Sequence, residues 1–597
     1  MNTTRTSLTT VTGALLKPGG RRRWRYILTG LVVFAATIAL FYAEENWRGR
    51  RAWASCKREL EAKGAKLDWA YYVPPLVPDD QNIFGVPEMQ KWFTGRGRTD
   101  LSEKLSFPGW DSSTNAARVC LANLTIGLPG TTPPGGSTVL NWSDGTNTQA
   151  EAARMITNAL GPTGFDPIGF SIIAKKREEV RPAQIFLQCQ TAPTVKELQR
   201  FLPKHFVRNW ENLSASEDVR VESIGVNSYQ LTMRAPISAP DYVAWSKTLE
   251  PEFALVRKAV QRPFARMSGD YSFPPDMPIP NFVTIRSIAQ RLAALSECYM
   301  VLGQPEKALD GLTFLHQICR VLEARPPGQP MTLVAAMINV AVTGLYVGTI
   351  QDGMQMHMWR EPQLAALQEQ LKDINLRPFV VDAIALEQAA TCTYGEKLSP
   401  AEIGKLFTIP EPTIKNTKGA FFAWAFHSLL SRVSFYRLIP RGWVYQNIVV
   451  CANLHQILSD SVASVDGLVK PRQVDAVGAT IQRELARPSP FKILASIAIP
   501  NITKAFQTMS LNQTKVNQAQ VACALERFRL ARGEYPGTLE ALTPQFIDNI
   551  PHDLIGGQPP HYRRAEDGKF LLYSIGWTEK DHGGQAGKEG DWVWGED

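Results

Sequence analysis

Residues 26–43 read YILTGLVVFAATIALFYA, eighteen positions without a charge, bounded by Arg25 on one side and by Glu44 and Glu45 on the other. A helix rises about 1.5 Å per residue, so the run covers roughly 27 Å, close to the thickness of a bilayer's hydrocarbon. Tyr26, Tyr42 and Trp47 stand at its two ends, where interfacial aromatic residues belong. The run is longer than the apolar part of a secretory signal, about 7–15 residues, and Phe41-Tyr42-Ala43 is a poor cleavage site. A retained transmembrane helix over 26–43 is expected, behind a basic cytoplasmic tail over 1–25. Six Lys and Arg precede the run (Arg5, Lys17, Arg21, Arg22, Arg23, Arg25) and five follow it closely (Arg48, Arg50, Arg51, Lys57, Arg58). The positive-inside rule then favours, by a narrow margin, a single-pass protein of the inner membrane with its body in the periplasm.

More than nine-tenths of the 597 residues follow the anchor. Hydrophobic content of 44% with 20% charge is that of folded domains, not of a disordered chain. The net charge is +8, but six positives lie before the anchor; the remainder is near balance and carries no nucleic-acid footprint. The eight cysteines are scattered, with no C-x-x-C pair, and read as buried thiols.

The segment after the anchor divides by pattern. Residues 45–70 read as a continuing helix with Trp47, Trp53, Leu60 and Leu67 as its sparse apolar positions, ended by Pro74, Pro75 and Pro78. The stretch 44–148 is otherwise extended and rich in Pro and Gly, with a loop over 129–148. Residues 149–240 are mixed: helices over 150–160 and 195–202, a short apolar run at 184–189, and alternation over 219–233 that predicts a hairpin about Gly225 or Asn227. Residues 241–500 read as helices broken by prolines. The clearest pair is 285–302 with 305–322, where Ala294, Tyr299, Gly303 and Ala308 resemble half of a tetratricopeptide repeat. No second copy follows, so an irregular helical stack is expected. The uncharged stretch 326–351 could span a membrane by length, yet Asn339 and its Thr and Gly residues favour a buried core helix. The aromatic stretch 419–438, with His427, reads as core.

Residues 501–597 form a last module. A helix is expected from about 502 to 532, capped by Asn501 and ended by Gly533, with Val521, Leu525, Phe528 and Ala531 on one apolar face. Then come Gly533-x-Tyr535-Pro536, Leu539-x-x-Leu542, Pro551-x-Asp553, Gly556-Gly557, Tyr562, Asp567-Gly568, Phe570, Tyr573-Ser574 and Gly576. In order and spacing these resemble the globular part of a type II secretion major pseudopilin. The resemblance covers about a seventh of the chain and implies a small α+β module used in assembly. It also implies calcium in the last loop, for which Asp581, Glu589 and Asp591 are the candidate ligands. Thr578 and His582 depart from the acidic pattern of that loop, and the alternative is a loop held by its glycines with Trp592 and Trp594 packed on the module. The anchor lies some 460 residues before the module and lacks a pilin processing motif, so the chain as a whole does not read as a pilin. The chain also resembles a set of bacterial membrane-anchored proteins that share Glu-Asn-Trp-Arg-Gly-x-Arg-Ala-Trp (45–53) and Pro-Pro-x-x-Pro-Asp-Asp-x-Asn (74–82). That likeness bears on architecture, not on activity.

Motifs of catalysis are absent from the sequence: no H-E-x-x-H, G-x-S-x-G, G-x-G-x-x-G or P-loop occurs. His316 and Cys319 share a helix face but are two groups, not a metal site. Asp79 and Asp80 are adjacent, whereas acid–base work needs opposed carboxylates. The expectation is a mainly α protein: a transmembrane helix, an irregular helical stack and a small pseudopilin-like α+β module. Its expected partners are the lipid bilayer and a protein, with no nucleic acid and no resident cofactor beyond the calcium candidate. The expected role is binding or scaffolding at the envelope, linked to secretion or surface assembly. The alternative is an envelope hydrolase with a dispersed site.

Overall fold

The computed structural model describes residues 18–95, 97–105, 239–327, 329, 331–398, 402, 439–462, 467–486, 489–499, 502–565, 568–587 and 589–595, and the backbone of 167–173, 183–189, 219–225 and 228–233. The loop at 129–148, the helices at 150–160 and 195–202, and the aromatic stretch with His427 lie outside the described residues. The chain divides into two compact units. One comprises Met1–Leu67, Gln388–Gln456 and Ile481–Pro500; the other comprises Asp68–Glu387, Ile457–Thr480 and Asn501–Asp597.

In the first unit a single helix, α1 (Pro18–Ala62), runs without a break from the basic tail through the apolar run and beyond it. Its apolar window is long and apolar enough to cross a membrane and none of it is buried. From Glu45 onward the same helix changes character. Glu45, Gly49, Trp53, Cys56 and Leu60 are buried at a spacing of three and four, the stripe of a helix packed on one side. Trp47, one of the sparse apolar positions of this stretch, is 56% exposed, because at 100° per residue it falls opposite Glu45 and Gly49. The helix stops at Ala62 and not near 70: Gly64 takes φ +95°, a left-handed conformation that glycine adopts without strain, and a 3-10 turn over Trp69–Tyr72 follows.

Helices dominate the second unit. Residues 74–85 lie as a strap of short turns. Asn82 is buried; its side chain accepts from the Phe84 and Arg266 N–H groups and donates to the Arg266 carbonyl at 2.8 Å. Arg262 clamps the strap by donating to the Asp79 and Asn82 carbonyls. Two short helices, α2 (Pro87–Phe93) and α3 (Asp100–Lys104), follow. A four-stranded antiparallel sheet has the order β1-β2-β4-β3, with β1 Pro167–Ile173, β2 Ala183–Cys189, β3 Val219–Gly225 and β4 Ser228–Met233. The expected hairpin strands are β3 and β4, which pair antiparallel.

Helices α4 (Ala239–Ser246) and α5 (Glu250–Ala259) lead into the hairpin of α6 (Phe282–Val301) and α7 (Pro305–Ile318). Gly303, at φ +69°, makes the turn, and Gly311 lets α7 approach α6, since a Cβ there would meet the Ser296 hydroxyl at 2.4 Å. After a short helix α8 (Arg320–Glu323), the uncharged stretch becomes α9 (Leu333–Gln355), whose apolar window is 61% buried among α6, α7 and α8. Asn339 is wholly buried on it and donates to Glu323 at 2.7 Å, a hydrogen bond that a core helix can supply. The remaining helices are α10 (Glu361–Lys372), α11 (Arg377–Lys397), α12 (Arg441–Val462), α13 (Pro471–Ala486), α14 (Ile493–Ala498) and α15 (Ile502–Arg532).

The C-terminal helix is more than one-sided. Val521 through Glu526 are all buried, because α9 and α10 cover one side of α15 and a small sheet covers another. Ala531, expected on the apolar face, is exposed, since the helix outruns both layers there. Its amides staple neighbouring loops: Gln513 donates to the Ile374 carbonyl, Gln520 to Leu371, Asn517 to His552 and Gln518 to Trp592. The small sheet is antiparallel, in the order β5 (His561–Arg564), β6 (Phe570–Ser574) and β7 (Trp592–Val593). The chain is thus mainly helical, with an apolar N-terminal helix and a three-stranded sheet near the C-terminus.

Candidate functional site: the junction below the apolar helix and the C-terminal loop

The 45–53 motif becomes a mechanical joint. Within the first unit, α1 crosses the start of α12 at a pair of glycines. A Cβ on Gly49 would lie 2.3 Å from the Gly442 carbonyl oxygen, and one on Gly442 would lie 1.9 Å from the Glu45 carbonyl oxygen. Backbone meets backbone there, so only glycine fits on either side. The polar neighbours complete the joint. Asn46 accepts from the Gly442 N–H at 2.7 Å, capping α12 from another helix. Glu45 is buried, accepts from the Trp443 indole at 3.0 Å and pairs with Arg48 at 3.0 Å. Its carboxylate therefore sits at a helix N-terminus, where negative charge is favoured. One turn further along, the Trp53 indole donates to Glu396 at 2.5 Å, and Lys57 reaches the same carboxylate at 3.9 Å. Cys56 donates to Asn453 at 3.5 Å, and burial pushes its thiol up from the usual range.

These residues were invisible as a set in the sequence. Glu45 reads there as a boundary charge, and Gly442 and Trp443 stand out for nothing. The 74–82 motif proves to be a packing device: buried Asn82 organises it, while Asp79 and Asp80 are both exposed on one turn and do not oppose each other. His316 stacks on Tyr346 at 5.5 Å, and burial holds it below the ordinary imidazole range; Cys319 is buried beside Thr343. Both are core groups.

Several of the quoted C-terminal motif positions do geometric work. Gly533 ends α15 at φ +85°, and Tyr535 folds back so that its hydroxyl donates to Glu526, which also takes Arg529 at 2.8 Å. Tyr562 donates to the Pro536 carbonyl at 2.7 Å. Leu539 and Leu542 are buried with Val521, Leu525 and Leu572. Asp553 is buried and accepts from the Ile555 and Ile575 N–H groups. Gly576 has no room for a side chain, since a Cβ would meet the Gly590 carbonyl at 2.0 Å.

The three candidate calcium ligands occupy different positions in the last loop. Asp591 is 2% exposed and turned into the loop, accepting from the His582 N–H at 2.9 Å and from the Gly584 N–H at 2.8 Å. Asp581 accepts from the Gly583 N–H at 2.7 Å and from the Tyr573 hydroxyl at 3.1 Å; the first of these chiefly holds its carboxyl below the usual range. Glu589 is exposed, and its main-chain carbonyl takes the Thr578 hydroxyl at 3.4 Å. Among the described residues no three His, Cys, Asp or Glu groups gather in a way that could hold a metal ion. The carboxylate of Asp591 instead does what an ion would do for such a loop: it collects main-chain groups about one charge. Replacing Asp591 by Ala leaves these part-buried donors without their acceptor and is expected to cost about 1–3 kcal/mol. Limited proteolysis within 577–590 is then faster than in the wild type; an unchanged cleavage rate would show that the glycines hold the loop alone.

Fold and joint together define a helical protein whose first unit carries one uncovered apolar helix on a glycine joint and whose second unit includes a small three-stranded sheet. No family model matches the chain, and neither the curated proteins nor the solved structures contain a match to it.

Proposed function

We propose that this protein is a single-pass scaffold of the bacterial inner membrane, its helical body in the periplasm, holding a pseudopilin-like module for assembly with a protein partner of a secretion or surface-assembly system. The observation that carries the reading is the complete exposure of the apolar window of α1, in a helix whose next stretch is locked into the body. Nine Leu, Ile, Val and Phe residues lie in 26–43. Each contributes about −0.3 to −0.6 kcal/mol on insertion at the centre of a membrane helix, whereas water offers them nothing. The glycine joint then transmits the position of the anchor to the rest of the first unit without a flexible linker. The pseudopilin likeness is supported by the structural duty of its motif positions, from the Gly533 stop to the Gly576 contact.

Among the described residues, one cleft, along α1, is open and lined by Ala43, Asn46, Trp47, Arg50 and Arg51; another, of about 10 Å³, is lined by Leu398, Ile439, Trp443, Val444, Asn447, Pro490 and Leu494. Neither of these two brings carboxylates or histidines together, and the open one suits a binding surface. The test is a pair of fusions after Asp597, one to a reporter active in the periplasm and one to a reporter active in the cytoplasm, with carbonate extraction of the membranes. A periplasmic signal from a carbonate-resistant protein is expected. A cytoplasmic signal would place the body on the other side, and release by carbonate would remove the anchor.

A further inference from the structure

The outer face of α1, just beyond the apolar run, carries a second feature. Ala43, Asn46, Trp47, Arg50 and Arg51 line an open cleft of about 570 Å³. Trp47, Arg50 and Arg51 are exposed, and the Arg51 guanidinium lies over the Trp47 ring at 5.3 Å. Among the described residues, the ion pairs of this stretch are Arg48 with Glu45 and Lys57 with Glu396, and neither includes Arg50 or Arg51. We infer that this cleft is a binding site for the headgroup phosphate of an anionic phospholipid. The inference rests on the anchor reading above.

Three physical arguments converge. The first is height. Along a helix, Trp47 stands about 6 Å beyond Ala43 and Arg50 about 10 Å beyond it. A headgroup layer is about 5–7 Å thick, so Trp47 lies within that layer and the main chain of the two arginines about 4 Å outside it, a gap their long side chains can span. The second is direction. Side chains on a helix lean towards its N-terminus, which for α1 is the membrane side, so both guanidinium groups reach back towards the phosphates. The third is rotation. The glycine joint and the Glu45–Trp443 hydrogen bond fix which face of α1 turns to the body, so the opposite face is presented at a constant height and angle.

The chemistry matches one ligand class. Guanidinium groups donate two parallel N–H bonds to phosphate oxygens, and an indole ring fits the interface beside them. Two arginines on one phosphate favour a headgroup without its own cation. Glu44, exposed about two turns nearer the apolar run than the arginines, and the Arg48–Glu45 pair are the other charges on this segment. Glu44 lies closer to the hydrocarbon and repels a second phosphate at that depth, which confines the anionic group to the level of the arginines.

The test uses the full chain, purified in detergent and given equimolar phosphatidylglycerol, phosphatidylethanolamine and phosphatidylcholine, with retained lipid read by native mass spectrometry. The wild type is expected to retain phosphatidylglycerol at least about fivefold over the other two, a difference of about 1 kcal/mol. The double variant Arg50→Gln with Arg51→Gln should bring the ratio near one. Arg58→Gln, exposed on the same face two turns further on, should leave it unchanged. Thermal melting checks that both variants fold. Equal retention of the three lipids by the wild type, or a preference that survives the double variant, overturns the inference while leaving the anchor standing. Carbonate release of the wild type sinks anchor and cleft together.

Discussion

Replacing Gly442 by Ala should open the joint between α1 and α12 and leave the first unit sensitive to protease. The added Cβ would lie 1.9 Å from the Glu45 carbonyl oxygen and 2.4 Å from its carbon. Those are main-chain atoms in the middle of a helix, so no side chain can swing away to make room. The helices must separate by an ångström or more. Separation stretches the Asn46–Gly442 and Glu45–Trp443 hydrogen bonds, and Glu45 is then a buried carboxylate without its indole donor. Overpacking and the lost bonds together cost about 3–5 kcal/mol. The measurement is the rate of tryptic cleavage at Arg50, Arg51 and Lys57, compared with Gly30→Ala and Gly348→Ala. Both of those glycines are helical with nothing within 4 Å of a built Cβ, so these controls should match the wild type or gain slightly from better helix propensity. Wild-type resistance in Gly442→Ala would mean that the crossing is looser than its geometry.

That joint shows where the sequence stops being informative. Local signals were legible. The apolar run, the hairpin about Gly303, the β3–β4 pairing and the stop at Gly533 all follow from residues close in the chain. The buried place of α9 was legible too, because Asn339 needs a partner that a core gives and lipid does not. The crossing of Gly49 and Gly442 joins positions nearly four hundred residues apart, and glycine in a helix carries no mark of what it touches. Along α1 the buried stripe joins Trp53, Cys56 and Leu60 to Glu45 and Gly49, and hydropathy does not mark the last two. In α15 a one-sided apolar pattern concealed a helix covered from two directions, because its buried Gln and Asn side chains serve loop carbonyls rather than solvent. The last loop was the least legible part. Its carboxylates have the composition of a cation site, and only coordinates show that Asp591 spends its oxygens on main-chain donors.

Replacing Glu297 by Gln should stabilise the second unit at neutral and alkaline pH. Glu297 sits on α6, 2% exposed, with one carboxylate oxygen lacking a hydrogen-bond partner. Burial pushes its carboxyl well above the ordinary range, and the charge of Asp352 on α9 pushes it the same way. Burial also raises Glu323, against the Asn339 amide, and Glu387, against the Leu333 N–H. A carboxyl raised in the folded state binds its proton more tightly there than in the unfolded chain. Its contribution is therefore fully present below the unfolded value, near 4.3, and is lost as pH rises through the folded one. All three groups thus weaken the native state as pH rises, and Glu297 has the least compensation. A glutamine keeps the shape, cannot ionise, and offers an N–H in place of a second oxygen. The expected gain is about 1–3 kcal/mol at pH 8, shrinking towards zero near pH 4. Thermal melts of wild type and variant across that range decide it. A variant that is less stable at pH 8, or a difference that does not change with pH, would mean that Glu297 is held ionised by its surroundings.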